Sequence, residues 1–141
     1  MIRYRLAEPA DAEALRMMND WLQEQPCNTA AGIAASLRDN RREIVCLAEE
    51  DGAPVGFCCG QVYESMCYST PCGEITELYV EKSHRRIGVG TGLLACMEAE
   101  LQARGVRSWH LYTGMMNDVA QHLYRACGYG GKQEMMYKKG I

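Results

Sequence analysis

No segment of the 141-residue chain approaches the roughly 18 consecutive apolar residues that a membrane-spanning helix needs. Residues 1–6 lack the apolar stretch of a secretory signal. Positive charge is not in excess either. The net charge is -3, whereas a general nucleic-acid binder carries a basic face. Eight cysteines are present, but no C-x-x-C, and the three histidines keep no zinc-finger spacing to them. These absences predict a soluble, cytoplasmic protein with no membrane or nucleic-acid partner and no bound metal. Repeats and linker-like stretches are missing as well, so residues 1–141 are expected to form a single domain.

What is present suits an ordinary core. Hydrophobic residues make up 48% of the chain, enough to fold without disulfide or metal staples. Cys46, Cys58, Cys59 and Cys96 lie in apolar runs and read as small buried hydrophobes. Cys67 and Cys72 flank a polar loop and read as exposed thiols, a pattern suited to a reducing compartment.

Periodicity predicts the elements. Residues 2–6 alternate as a strand. Pro9 can open a helix, which carries Leu15, Met18 and Leu22 and ends before Pro26. A second helix is expected over 30–38. Strands follow over 43–49 and 54–63, joined by the Asp51-Gly52 turn. Residues 65–73 read as loop and 75–80 as a third core strand. A glycine-rich turn leads into a helix over 91–104, then a strand over 106–113, a helix over 117–127 and a strand over 132–138. The order β-α-α-β-β-β-α-β-α-β implies an α/β fold with one mixed sheet.

The turn after the third core strand carries chemistry. It reads Arg85-Arg86-Ile87-Gly88-Val89-Gly90-Thr91 and opens a helix. Helix N-termini present unpaired N–H groups and a positive dipole end to an anion. Glycines let a phosphate approach the backbone. No lysine follows in the P-loop position, and the glycines at 88, 90 and 92 lie too far from the strand for a dinucleotide fingerprint. A plain tight turn remains as the alternative on the glycines alone.

Residues 85–90, preceded by Leu78-Tyr79-Val80 and followed by Leu93-Leu94, resemble the [Gln/Arg]-x-x-Gly-x-[Gly/Ala] signature of the GNAT superfamily of N-acetyltransferases. Leu123-Tyr124-Arg125-Ala126-Cys127-Gly128-Tyr129, after Asn117, is similar to that family's Leu-Tyr-x-x-x-Gly-[Phe/Tyr]. The resemblance implies an acyl-CoA N-acyltransferase fold with two central parallel strands splayed apart. It also implies acetyl-CoA as cosubstrate and a primary amine as acceptor, either a small molecule or a protein amine. Amides of Arg86, Ile87, Gly88, Val89, Gly90 and Thr91 would hold the pyrophosphate. Leu78 and Val80 would pair with pantetheine through their backbone, and the Val80 amide would meet the developing oxyanion. Tyr79, Arg85, Asn117, Ala120 and Tyr124 complete the expected coenzyme-binding set. Homodimers, frequent in the family, are an expectation of the resemblance alone.

Two catalytic roles follow on that basis. Tyr124 is the expected hydrogen-bond donor to the departing sulfur. At 100° per residue it shares a helix face with Asn117 and Ala120, leaving Val119, Leu123 and Ala126 for the core. Glu77, near the strand end, is the expected general base. Glu74 or a water chain are the alternatives, and alternation along a regular strand puts Glu74 and Glu77 on opposite faces. His84 reads as a surface loop residue and His110 as a weaker substrate contact. A non-catalytic acyl-CoA-binding module is the competing function.

Overall fold

The computed structural model describes residues 1–131 and 134–140. Strand β1 (Ile2–Leu6) leads through a 3-10 turn at Pro9–Asp11 into helices α1 (Ala12–Gln23) and α2 (Ala30–Asp39). Strands β2 (Glu43–Glu50), β3 (Ala53–Tyr63) and β4 (Cys72–Val80) follow as a meander. A second 3-10 turn at Lys82–His84 precedes helix α3 (Val89–Ala103), strand β5 (Trp109–Leu111) and helix α4 (Asp118–Ala126). The sheet runs β1-β2-β3-β4-β5, antiparallel except for the parallel β4–β5 pair. Helix α3 supplies the crossover that a parallel pair requires.

Strand β2 is buried on both faces, as its apolar run predicts, because helices cover both sides of the sheet. Ile44, Cys46 and Ala48 pack under α3 with Leu93, Leu94, Met97 and Leu101. Leu47 faces the other way and meets Phe57, Tyr79, Leu15 and Met18 under α1. Cys46 and Cys58 are fully buried. Burial pushes both thiols up, so they stay protonated packing groups. Cys67 is exposed as expected, whereas Cys72 is half-buried at the start of β4.

A charged knot holds α1 to the sheet edge. Arg5 donates to Asp11 at 2.8 and 2.9 Å and to Glu49 at 3.0 and 3.2 Å. Glu49 is only 7% exposed, which makes a charged partner obligatory. The Arg5 guanidinium holds the Asp11 carboxyl below the usual carboxylate range.

Three expectations need correction. Strand β5 covers only Trp109–Leu111 rather than 106–113. Its pairing with β4 ends at Ile75↔Leu111, and residues 76–80 of β4 run on without a strand partner on that side among the described residues. Helix α3 begins at Val89, two residues ahead of the expected 91. Of the closing strand expected over 132–138, residues 132 and 133 lie outside the described residues, and 134–138 form no strand.

Candidate functional site

The splay between β4 and β5 is where the signature residues meet. The Glu81 amide donates to the Val55 carbonyl at 2.9 Å, and Gly56 lies opposite Val80. Hydrogen-bonded and non-bonded positions alternate along an antiparallel pair. Tyr79 and Glu81 therefore face β3, and the N–H and C=O groups of Leu78 and Val80 turn into the splay. Beyond Leu111 no β5 residue pairs there, so an extended ligand can lie against this edge as a further strand.

The glycine turn lies just beyond that edge. Gly88 is the N-cap of α3, with φ 90, and no side chain caps the helix. A Cβ on Gly88 would meet nothing within 4 Å, so conformation rather than space requires glycine there. Arg86 is also left-handed at φ 64, a strained state for a residue with a Cβ. Left-handed residues at 86 and 88, followed by the free amides of a helix's first turn, make a concave row of donors suited to an anion. Such a cradle fits a pyrophosphate. Arg85 behaves differently from the expectation of a charge at the rim. Its Nε donates to the Val80 carbonyl at 2.8 Å, and its guanidinium lies 5.9 Å from the Tyr79 ring centroid.

Helix α4 closes the other side. Asn117 caps it, its side chain accepting from the Ala120 amide at 3.1 Å. Gly90 makes the contact between the two signatures: a Cβ there would lie 3.1 Å from Leu123 Cδ2. The second signature ends the helix. The Tyr129 amide donates to the Tyr124 carbonyl at 2.9 Å and the Gly128 amide to the Arg125 carbonyl at 3.1 Å, with Gly128 at φ 93. This is the Schellman pattern, in which the residue after the glycine packs back onto the one five before it. Tyr129 does so edge-on against Tyr124, at 6.1 Å between centroids and 68°.

The structure revises which face of α4 packs. Leu123, Tyr124 and Cys127 lie against the core, whereas Val119 is 75% exposed and Ala126 is exposed. At 100° per residue, Leu123, Tyr124 and Cys127 lie within about 100° of one another, so the packed face includes Tyr124 and leaves out Val119 and Ala126. Burial raises the Tyr124 hydroxyl, which keeps it protonated. That hydroxyl makes no hydrogen bond among the described residues.

A family model for the acetyltransferase (GNAT) family matches residues 9–129. The chain belongs to the GNAT acetyltransferase family. It is 27% identical over 136 residues to an aminoglycoside N(6')-acetyltransferase type 1 of Stenotrophomonas maltophilia, covering 94% of this chain and 89% of that protein. It is 36% identical over 88 residues to a mycothiol acetyltransferase of Cellulomonas flavigena, covering 59% of this chain and only 25% of that longer protein. Among solved structures, the aminoglycoside N-acetyltransferase AAC(6')-Iy in complex with CoA superposes with a TM-score of 0.84 at 20% identity, covering 99% of this chain and 95% of that one. This GNAT chain thus shares the fold of a CoA-binding neighbour.

The opposite face of the sheet holds a cavity of about 250 Å³ between α1, α2 and strands β2–β4, its floor including Glu43, Phe57, Cys59 and Glu77. Glu74 and Glu77 turn out to share this face. The β3–β4 register steps from Cys59↔Glu77 to Gly60↔Ile75, leaving Thr76 as an extra residue. Ile75 and Leu78 both pack under α3, so the glutamates beside them both face away. A bulge of this kind leaves no mark in an alternating sequence.

Sequence reasoning missed Glu43. It comes from β2, accepts from Gln61 Nε2 at 3.3 Å, and its carboxyl is raised by burial and by the neighbouring Glu77. Glu77 takes a hydrogen bond from the Thr76 hydroxyl. Neither Glu43 nor Glu77 has a cationic partner among the described residues. Glu74 lies elsewhere, 3.7 Å from His110 Nε2, whose ring meets Tyr112 edge-on at 5.3 Å. His84 is less free than a surface loop residue, with Nε2 2.6 Å from Glu50 Oε2. Residues 64–71 connect β3 to β4 without lining the cavity.

Proposed function

We propose that this chain transfers an acetyl group from acetyl-CoA to a primary amine by direct attack, and that the amine enters through the α1–α2 cavity. The observation that carries this reading is the meeting, at one splay, of the backbone edge that Leu78 and Val80 turn away from β3, the uncapped turn at 86–91 and the protonated Tyr124. Acetyl-CoA, when bound, supplies the activated acetyl thioester. The amides of residues 86–91 would hold its pyrophosphate, and Tyr79, Arg85, Asn117 and Ala120 would frame the same groove. The edge of Leu78 and Val80 orients the acyl end, and the Val80 N–H meets the oxyanion.

The amine must lose a proton, since a lysine-like amine has a pKa near 10.4. Glu77 on the cavity floor takes it through water. Tyr124 serves the departing sulfur. A phenol near pKa 10 is about 1.5 units above a thiol near 8.5, so full proton transfer is uphill by about 2 kcal/mol. Burial of Tyr124 widens that gap, so Tyr124 donates a shared hydrogen bond rather than its proton outright. The acceptor is a cationic amine: the cavity holds two carboxylates without a cation, and one relative is an aminoglycoside acetyltransferase.

Calorimetry with acetyl-CoA, run beside a thiol-release assay on aminoglycosides, amino acids and peptide amines, tests the reading. Binding with release on a cationic amine is expected. Binding without release on any amine would point to an acyl-CoA-binding module. Tyr124→Phe should lower kcat on the order of 100-fold, much more than it weakens acetyl-CoA binding; wild-type kcat in that variant removes the donor role.

A further inference from the structure

The Tyr129 hydroxyl is bonded to two other elements. It donates to Glu98 Oε2 of α3 at 2.5 Å and accepts from Trp109 Nε1 of β5 at 2.9 Å. The signature accepts phenylalanine or tyrosine at this position, so the helix stop needs the ring and not the hydroxyl. Here the hydroxyl joins α3, β5 and the end of α4 at one point, beside the splay. The Tyr129 ring is the edge-to-face neighbour of Tyr124. Tyr124 has no hydrogen bond of its own among the described residues, so packing alone sets where its hydroxyl points.

We infer that Tyr129 is a positioning residue: clamped by Glu98 and Trp109, it holds the Tyr124 ring in the orientation that serves the departing sulfur. This rests on the reading of Tyr124 as the hydrogen-bond donor. The clamp spans the elements that flank the cleft, so it ties Tyr124 to the position of β5 and α3 rather than to α4 alone. Loss of the hydroxyl frees the Tyr129 ring to shift, and Tyr124 with it, without touching the phosphate turn at 86–91.

The test is a double-mutant cycle with a spectroscopic readout. Tyr129→Phe is expected to lower kcat about tenfold, to keep the acetyl-CoA dissociation constant within twofold, and to shift the Trp109 indole N–H resonance while leaving that of Trp21. In the Tyr124→Phe background the same substitution should cost nothing further in kcat. Glu98→Gln, which keeps an oxygen acceptor, should retain at least half of wild-type kcat, whereas Glu98→Leu should reproduce the Tyr129→Phe loss. If Tyr129→Phe does not fold, the Glu98 pair carries the same comparison. A slow Tyr124→Phe beside an unaltered Tyr129→Phe overturns the inference alone. Equal losses from Tyr129→Phe in both backgrounds also overturn it, since they mark a merely structural role. Wild-type kcat in Tyr124→Phe removes the donor reading and this inference together.

Discussion

On the α3–α4 face of the sheet, the groups that meet the cleft are mostly main chain: the turned-out edge of Leu78 and Val80, and the amides that follow the left-handed Arg86 and Gly88. On the α1–α2 face the cavity is lined by side chains drawn from five elements, among them Asn19, Ser36, Glu43, Cys59 and Glu77. On the proposed function, the difference follows what each side would recognise. A coenzyme that never changes can be read by backbone geometry, which tolerates drift in side chains as long as the glycines stay. An acceptor is distinguished by charge and shape, and those come from side chains that can be exchanged singly. The two faces should therefore fail in different ways.

The largest effect is expected at the knot that attaches the α1 wall. Arg5→Ala leaves Asp11 without its cation and buried Glu49 with only the exposed Arg3, 3.7 Å away, and should cost about 3 kcal/mol of stability, read from denaturant unfolding. Acetyl-CoA affinity of the folded fraction should stay within twofold; a loss of coenzyme binding would show that the faces are not independent. The sign of the pH effect is set by Asp11. Its folded pKa is depressed by Arg5, so its contribution is full above the usual carboxylate range and disappears as pH falls through the depressed value. Arg5→Ala should flatten that acid limb.

The complementary lesion on the other face is Gly88→Val. A β-branched residue at φ 90 is strained by roughly 1–3 kcal/mol, so the cradle relaxes away and acetyl-CoA affinity should fall about tenfold or more by calorimetry. KM for the amine should be spared. Wild-type affinity in that variant would mean the turn does not hold the pyrophosphate.

Smaller effects belong to the cavity floor. Glu77→Gln should lower kcat/KM about tenfold, mostly at low pH, where the amine arrives protonated; an unchanged pH–rate profile would acquit Glu77 and leave Glu74 or water as the base. Glu43→Gln is the smallest. The Glu43 pKa is raised by burial and by Glu77, so the ionised carboxylate disfavours the fold above its folded pKa, and that penalty fades as pH falls below the ordinary carboxylate value. The variant should melt higher than wild type at pH 7, with the gain shrinking on acidification, and should bind cationic acceptors less well. A lower Tm at pH 7 would contradict the charge argument.

Most of the order of elements was legible in the sequence, because strand alternation and helical spacing are local properties of the chain. The glycine turn was legible for a related reason: a left-handed N-cap at Gly88 and a helix stop at Gly128 are conformational demands that one residue type meets. The face of α4 was not: Leu123, Tyr124 and Cys127 pack while Val119 and Ala126 are exposed, and which stripe of a helix docks is decided by its neighbours. Glu43 was missed as well. It lies 34 positions from Glu77 in the chain, and only the meander of β2, β3 and β4 brings the two carboxylates to one floor.

The amino-acid sequence by itself determined the proposed coenzyme side of this protein. Its two signatures specify backbone conformations, and a backbone conformation is encoded by the few residues that adopt it. Tertiary structure alone decided the proposed acceptor side. An extra residue at Thr76 turned Glu74 and Glu77 to the same face, and the sheet set Glu43 beside Glu77. The fold also closed the Tyr129 hydroxyl between Glu98 and Trp109. Each of these is a contact between distant segments, and strand register and helix docking have no local code.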